Sequence, residues 1–80
     1  MAEDEVYQRV AGVVARILNV DRARVTPEAR FVEDLGADSM QSVELVAGFE
    51  EEFDIELDEQ AALDVKTVGK AVEFVAAHLD

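Results

Sequence analysis

Apolar residues near the start of the chain recur every third or fourth place: Val6, Val10, Val13, Val14, Ile17 and Leu18. That spacing keeps them on one face and predicts an amphipathic helix over Glu3–Leu18. Glu3, Asp4 and Glu5 crowd its first turn, where carboxylates meet the positive end of the helix dipole, and Asn19 is the expected terminator. From Val20 to Ala37 the periodicity lapses. This stretch holds the only proline, Pro27, together with Gly36, and reads as a long ordered loop pinned by Val25, Phe31, Val32 and Leu35. Asp38, followed three places on by Gln41, has the spacing of a capping box and predicts a second helix running to about Phe53. At about 100° per residue, Val43, Leu45, Val46, Phe49 and Phe53 share a core-facing arc. Met40, Glu44, Ala47 and Glu51 form a stripe on the opposite side, with Gln41 and Gly48 beside it, and Glu50 lies nearer the core edge. A short helical turn is expected over Glu59–Leu63. The last helix is expected over Thr67–Leu79, capped by Thr67, with Val68, Ala71, Val72, Val75 and Leu79 inward and Phe74 at the edge of that face. No segment alternates as a strand would. The pattern predicts an all-α fold: a four-helix bundle of three longer helices and one short one, with a long loop between the first two.

Eighty residues make one domain spanning 1–80, with a thin core. The absence of cysteine rules out a disulfide framework, thiolate chemistry and a zinc cluster. The apolar runs are too short to cross a membrane, and the acidic opening Ala2-Glu3-Asp4-Glu5 is the opposite of a basic leader. A cytoplasmic monomer is therefore expected. Charge changes the picture further: 7 Lys and Arg stand against 19 Asp and Glu, a net of −12. Residues 28–64 hold 13 acids and one base, Arg30, so that segment alone accounts for the net −12, while the flanks balance at six of each. Phe31 to Val65 contains no Lys or Arg. This sign excludes nucleic acid as a partner. The segregation suits a docking surface for basic proteins, although a merely solvated face satisfies the same composition.

Ser39 falls in the first turn of the second helix. A nucleophilic serine needs a base and an orienting acid. The only histidine is His78, far along the chain and better read as a cation near a helix end, and no Gly-x-Ser-x-Gly elbow surrounds Ser39. A helix N-terminus does accommodate phosphate, through free N–H groups and the dipole, so an exposed Ser39 suits attachment of a phosphodiester by another enzyme. Gly48 costs about 1 kcal/mol relative to Ala at an exposed helix interior; it either admits a close neighbour or has no packing reason. A calcium-binding module lacks its loop, since no Asp-x-Asp-x-Asp-Gly run with a Glu at the twelfth place occurs. A helical interaction domain that carries no prosthetic group remains a second reading of these features.

The segment Gly36-Ala37-Asp38-Ser39-Met40 closely resembles the Asp-Ser-Leu attachment motif of acyl carrier proteins. The likeness extends back through Phe31-Val32-Glu33-Asp34-Leu35 and forward through Val43-Glu44-Leu45-Val46, Glu50-Glu51-Glu52-Phe53 and Thr67-Val68, covering nearly the whole chain. The resemblance implies that Ser39 accepts 4′-phosphopantetheine from coenzyme A through a magnesium-dependent phosphopantetheinyl transferase, and that the arm's thiol carries growing acyl chains as thioesters in fatty acid biosynthesis. It implies a shuttle rather than an enzyme. Asp38, Glu44, Glu50 and Glu51, with Met40 and Ala47 as the apolar part, would meet basic patches on the transferase and on ketosynthases, acyltransferases, reductases and dehydratases. Phe31, Val46, Phe49, Ala62, Val65 and Ala71 would line a pocket for the acyl chain, though each serves equally as a core residue. Met40, Gln41, Gly48, Phe49, Asp58 and Leu63 depart from the housekeeping pattern, which leaves a dedicated polyketide or specialised-lipid carrier as the alternative.

Overall fold

A computed structural model describes residues 1–79. It contains helices α1 (Glu3–Leu18), α2 (Ser39–Phe53), α3 (Glu59–Leu63) and α4 (Val68–Ala76), with a 3₁₀ turn at Arg22–Arg24 inside the first connection. The described residues contain no strand, only one isolated bridge between Arg30 and Thr67. The expected four-helix architecture is therefore what the chain adopts. Helix α1 packs against both α2 and α4, and α3 packs on α2.

Local chemistry sets the helix ends. Val6, Val10, Ala11, Val13, Val14 and Leu18 are the buried stripe of α1, which stops at Asn19 in the left-handed region, φ 55°. Helix α2 stops the same way at Asp54, φ 54°. Asn and Asp tolerate this conformation better than most residues with a Cβ. Asp58 caps α3 by accepting from the Gln60 and Ala61 N–H groups, and Thr67 caps α4 by accepting from Lys70. Helix α4 is shorter than the expected Thr67–Leu79. Past Ala76 the hydrogen bonds tighten to three-residue spacing, from His78 N–H to Val75 and from Leu79 N–H to Ala76, which is how helices commonly run out.

The long connection is fastened on two sides, which resolves how so small a domain orders so long a loop. Toward α1, the Tyr7 hydroxyl donates to the Val25 carbonyl at 2.6 Å, and Arg22 donates to the Gln8 carbonyl at 2.7 Å. Toward α4, backbone bonds run from Phe31 N–H to Lys66 (3.0 Å), Val68 N–H to Ala29 (3.0 Å) and Gly69 N–H to Pro27 (2.8 Å). A Cβ at Gly69 would stand 3.0 Å from the Pro27 oxygen, so a glycine permits this approach. A tight turn follows Arg30, closed by its carbonyl accepting from Asp34 and Leu35. The Arg30 guanidinium bonds the Asp34 carboxylate at 3.0 Å, and that side-chain bond, followed by the one from the Arg30 N–H, holds the Asp34 carboxyl below its ordinary value. The turn sends Phe31 and Leu35 inward but leaves Val32 55% exposed. Val25, Ala29, Phe31, Leu35 and Ala37 therefore pin the loop, and the expectation for Val32 is corrected.

Two α2 residues also sit differently from the sequence reading. Val43 is 43% exposed rather than in the core. It stands about 100° around the helix from the centre of the Leu45–Val46–Phe49–Phe53 arc, beyond the apolar contact. Gly48 does not lie on the open side but faces α1. A Cβ there would come within 2.7 Å of Ile17 Cδ1 and 2.9 Å of Val13 Cγ1. Overpacking costs about 1–3 kcal/mol, against a gain of about 1 kcal/mol in helix propensity for Ala over Gly. Gly48→Ala is expected to lose roughly 1 kcal/mol net and to lower the melting temperature by about 4–8 °C. Adding Ile17→Ala should restore part of the clash energy, seen as non-additivity in a double-mutant cycle. A higher melting point for Gly48→Ala alone would contradict this packing.

Candidate functional site

The N-terminus of α2 is built by a reciprocal cap. Gly36 turns the chain through φ +75°, a conformation available to glycine without Cβ strain. Asp38 then accepts from the Gln41 N–H at 2.7 Å, while Gln41 Oε1 accepts from the Asp38 N–H at 3.2 Å. The Asp38 carbonyl takes both the Ser42 N–H (2.9 Å) and the Ser42 hydroxyl (3.0 Å). The cap thus occupies Asp38, Gln41 and Ser42. Ser39, lying inside it, is exposed, and its hydroxyl and the N–H groups of Ser39 and Met40 have no hydrogen-bond partner among the described residues. A free hydroxyl is therefore presented to solvent beside two unsatisfied donors at the positive end of a helix, where a phosphodiester is electrostatically favoured.

The stripe flanking Ser39 is open to solvent. Met40 (73% exposed), Glu44, Ala47 and Glu51 are all exposed, spaced four, three and four residues apart on one side of α2. Exposed Val43, next to Ala47 around the helix, widens the apolar part of this surface. Asp38 is exposed although its carboxylate serves the cap. Glu50 is half-buried, and its Oε2 accepts from the Leu57 N–H at 2.9 Å, tying the end of α2 to the approach to α3. Its carboxylate is therefore committed to the fold more than those of Glu44 and Glu51.

On the inner side of α2, a cavity of about 70 Å³ is lined by Ser42, one turn from Ser39, together with Val46 and Phe49. This is room for roughly two water molecules. Phe31, Val46, Phe49, Ala62, Val65 and Ala71 all line it, so the structure brings together every residue of the expected pocket. Phe31, Val46, Phe49 and Ala71 are also core residues, whereas Ala62 and Val65 are half-buried. Sequence reasoning did not place Leu45, Leu57, Leu63, Phe74 and Val75 at this cavity, which they also line. Phe74 carried a signal, lying one helical step from Ala71 at the edge of the inward face. Leu57 and Leu63 sit in or beside the short α3, where periodicity has too few turns to orient them. Among the described residues no side chain is hydrogen-bonded to the Ser39 hydroxyl, and His78 bonds the Phe74 carbonyl through Nδ1 at 2.8 Å, at the end of α4.

Comparison with known sequences agrees with this geometry. Residues 8–75 match the model for the phosphopantetheine attachment site. The chain is 49% identical over 75 residues to a protein named acyl carrier protein from Phenylobacterium zucineum, covering 94% of this chain and 95% of that one. It is 41% identical over 78 residues to an acyl carrier protein of Cyanidioschyzon merolae, covering 98% and 86%. With an acyl carrier protein of Caulobacter vibrioides it shares 49% over 71 residues, covering 89% and 91%.

Proposed function

The chain belongs to the acyl carrier protein family, and on that premise we propose that Ser39 bears its 4′-phosphopantetheine arm and that residues 1–80 act as one carrier domain. The observation that carries this reading is the Ser39 hydroxyl: exposed, unused by the fold, beside two free N–H groups, and one turn from an apolar cavity. When attached, the group supplies the thiol that a chain without cysteine lacks, and that thiol holds acyl groups as thioesters. During loading by a separate magnesium-dependent transferase, the Ser39 oxygen bonds to the coenzyme A phosphorus nearest the pantetheine. The pyrophosphate link breaks, adenosine bisphosphate departs, and the serine proton passes to a base on the transferase.

The carrier performs no turnover of its own. Asp38, Glu44 and Glu51, with Met40 and Ala47 between them and Glu50 at the margin, form the face that meets the transferase, ketosynthases, acyltransferases, reductases and dehydratases. Carboxylates draw basic patches by long-range attraction, and the exposed thioether of Met40 supplies an adaptable apolar contact. No helix among the described residues is long and apolar enough to cross a membrane, in keeping with a carrier that works in the cytoplasm. Growing acyl chains of fatty acid biosynthesis are the cargo. A dedicated polyketide or specialised-lipid carrier is the second reading, favoured by Phe49 and Leu63, two departures from the housekeeping pattern that both stand in the cavity wall.

The test is an intact mass after incubation with coenzyme A and a broad-specificity transferase, beside Ser39→Ala. The native chain is expected to gain one phosphopantetheine and the variant none, with unchanged helicity. A native chain that stays unmodified under conditions that load a known carrier would overturn the assignment.

A further inference from the structure

Two arginines converge on one residue of the turn that leads into α2. Three bonds from Arg30 hold the Asp34 carboxylate. Its Oδ2 accepts from the Arg30 backbone N–H at 2.8 Å and from Nε at 3.0 Å, and its Oδ1 accepts from Nη2 at 3.1 Å. The Asp34 carbonyl accepts from Arg24 Nη2 at 2.7 Å. A forked pairing of this kind fixes direction as well as distance, and it lowers the Asp34 carboxyl while raising the Arg30 guanidinium. Ion pairs this open contribute little to stability. Arg30 is nevertheless the one base in residues 28–64, and its charge is committed to Asp34 rather than left to face solvent.

Asp34 stands five residues before Ser39, and the chain between them is tied at nearly every step. The Asp34 and Leu35 N–H groups donate to the Arg30 carbonyl, Gly36 N–H to Val32 at 3.0 Å, and Ala37 N–H to Phe31 at 2.9 Å. Leu35 and Ala37 are buried, and Gly36 turns the chain between them. The bonds of Asp38, by contrast, all run forward to Gln41 and Ser42. Packing on α1 holds the body of α2, while the clasped turn sets how the chain enters its first residues, Ser39 among them.

We infer that Asp34, clasped by Arg30 and Arg24, is a positioning residue for phosphopantetheine transfer: it holds the turn that aims the Ser39 hydroxyl, without itself meeting the transferase. The inference rests on the assignment of the arm to Ser39 and adds the residue that orients the acceptor. Misplacing a reacting group by about 1 Å can cost on the order of a hundredfold in rate. A docking carboxylate acts differently. Its loss weakens encounter and shows in KM, and removal of a neighbouring cation improves attraction for a basic partner. The two roles therefore give opposite signs for a change at Arg30.

The experiment follows transfer from coenzyme A by intact mass for native protein, Asp34→Ala, Asp34→Asn and Arg30→Gln, with melting temperatures and backbone amide spectra of each. Arg30→Gln removes one of 7 bases and takes the net charge from −12 to −13. Asp34→Ala is expected to lower kcat about tenfold or more with KM changed less than about twofold. Arg30→Gln should lower kcat as well, against its added negative charge. Asp34→Asn, whose amide oxygen can still accept from the Arg30 N–H, should recover part of the loss. The Ser39 and Met40 amides should shift in Asp34→Ala and Arg30→Gln, while those of Glu44 and Glu51 stay in place. A native kcat in Asp34→Ala overturns the inference. So does a loss confined to KM, with Arg30→Gln transferring at the native rate or faster, which would make Asp34 a docking carboxylate. If Asp34→Ala melts below the assay temperature, Arg30→Gln decides alone, and transfer at the native rate or faster overturns the role. A native chain that takes up no phosphopantetheine is instead failure of the Ser39 assignment, and removes the inference with it.

Discussion

Phe53→Ala is expected to cost about 3–5 kcal/mol, the range for truncating a buried aromatic side chain, and to lower the melting temperature by more than about 12 °C. Phe53 ends α2 and is buried against the core. The Arg9 guanidinium of α1 lies over its ring at 4.6 Å and also bonds the Glu52 carboxylate at 2.8 Å. The ring thus serves as core filler and as the platform on which the inter-helix clamp rests. Stacking of this kind adds about 0.5–1 kcal/mol at a partly open site. Domains hold about 0.05–0.15 kcal/mol per residue, so a chain this short has little to spare and the variant should be largely unfolded at physiological temperature. Arg9→Gln, which keeps Phe53 in place, should lose only roughly 1 kcal/mol. Urea titrations followed by circular dichroism separate the two, and equal losses would mean that the guanidinium, not the ring, holds the end of the helix pair.

Reversing charge at Glu44 and Glu51 should act oppositely on stability and on loading. Both side chains are exposed, and no ion pair involves either. Lysine at both places lowers the net charge from −12 to −8, which relieves repulsion along an unbroken acidic segment and should hold or raise the melting temperature. The same change removes attraction for a basic partner, and steered association depends steeply on such charges. The expected result is a fall of about tenfold or more in kcat/KM for phosphopantetheine transfer, shrinking as salt screens the native interaction. Transfer at the native rate by a folded variant would remove these two residues from the docking face.

Helix starts and the architecture were legible because their signals are short-range. Asp38 with Gln41 and Thr67 before α4 mark caps within one turn of chain, and Asn19 ends α1 as its type suggests. The six residues expected around an acyl chain were named through the family likeness, and the fold places all six in the lining of one cavity. Contacts between elements were not legible. Gly48 looked exposed because a wheel gives the direction of a side chain but not the helix that α1 places against it. Val32 looked inward because apolar character alone does not reveal the turn after Arg30 that sends Phe31 and Leu35 the other way. The Glu50 bond to Leu57 depends on where the chain returns after Asp54, which no local pattern encodes.

The cap at the start of α2 is complete without the Ser39 side chain: Asp38, Gln41 and Ser42 exchange every bond that fastens it. Structural duty and chemical duty are therefore held by neighbouring but separate residues. On the proposed attachment at Ser39, a chain with alanine there would keep the same docking surface yet accept no cargo. Such a protein would then act as a decoy for the enzymes proposed to dock on it. Loss of one hydroxyl at this position would accordingly act as a dominant defect in a cell that also makes the intact carrier, whereas a change that unfolds the domain would be recessive.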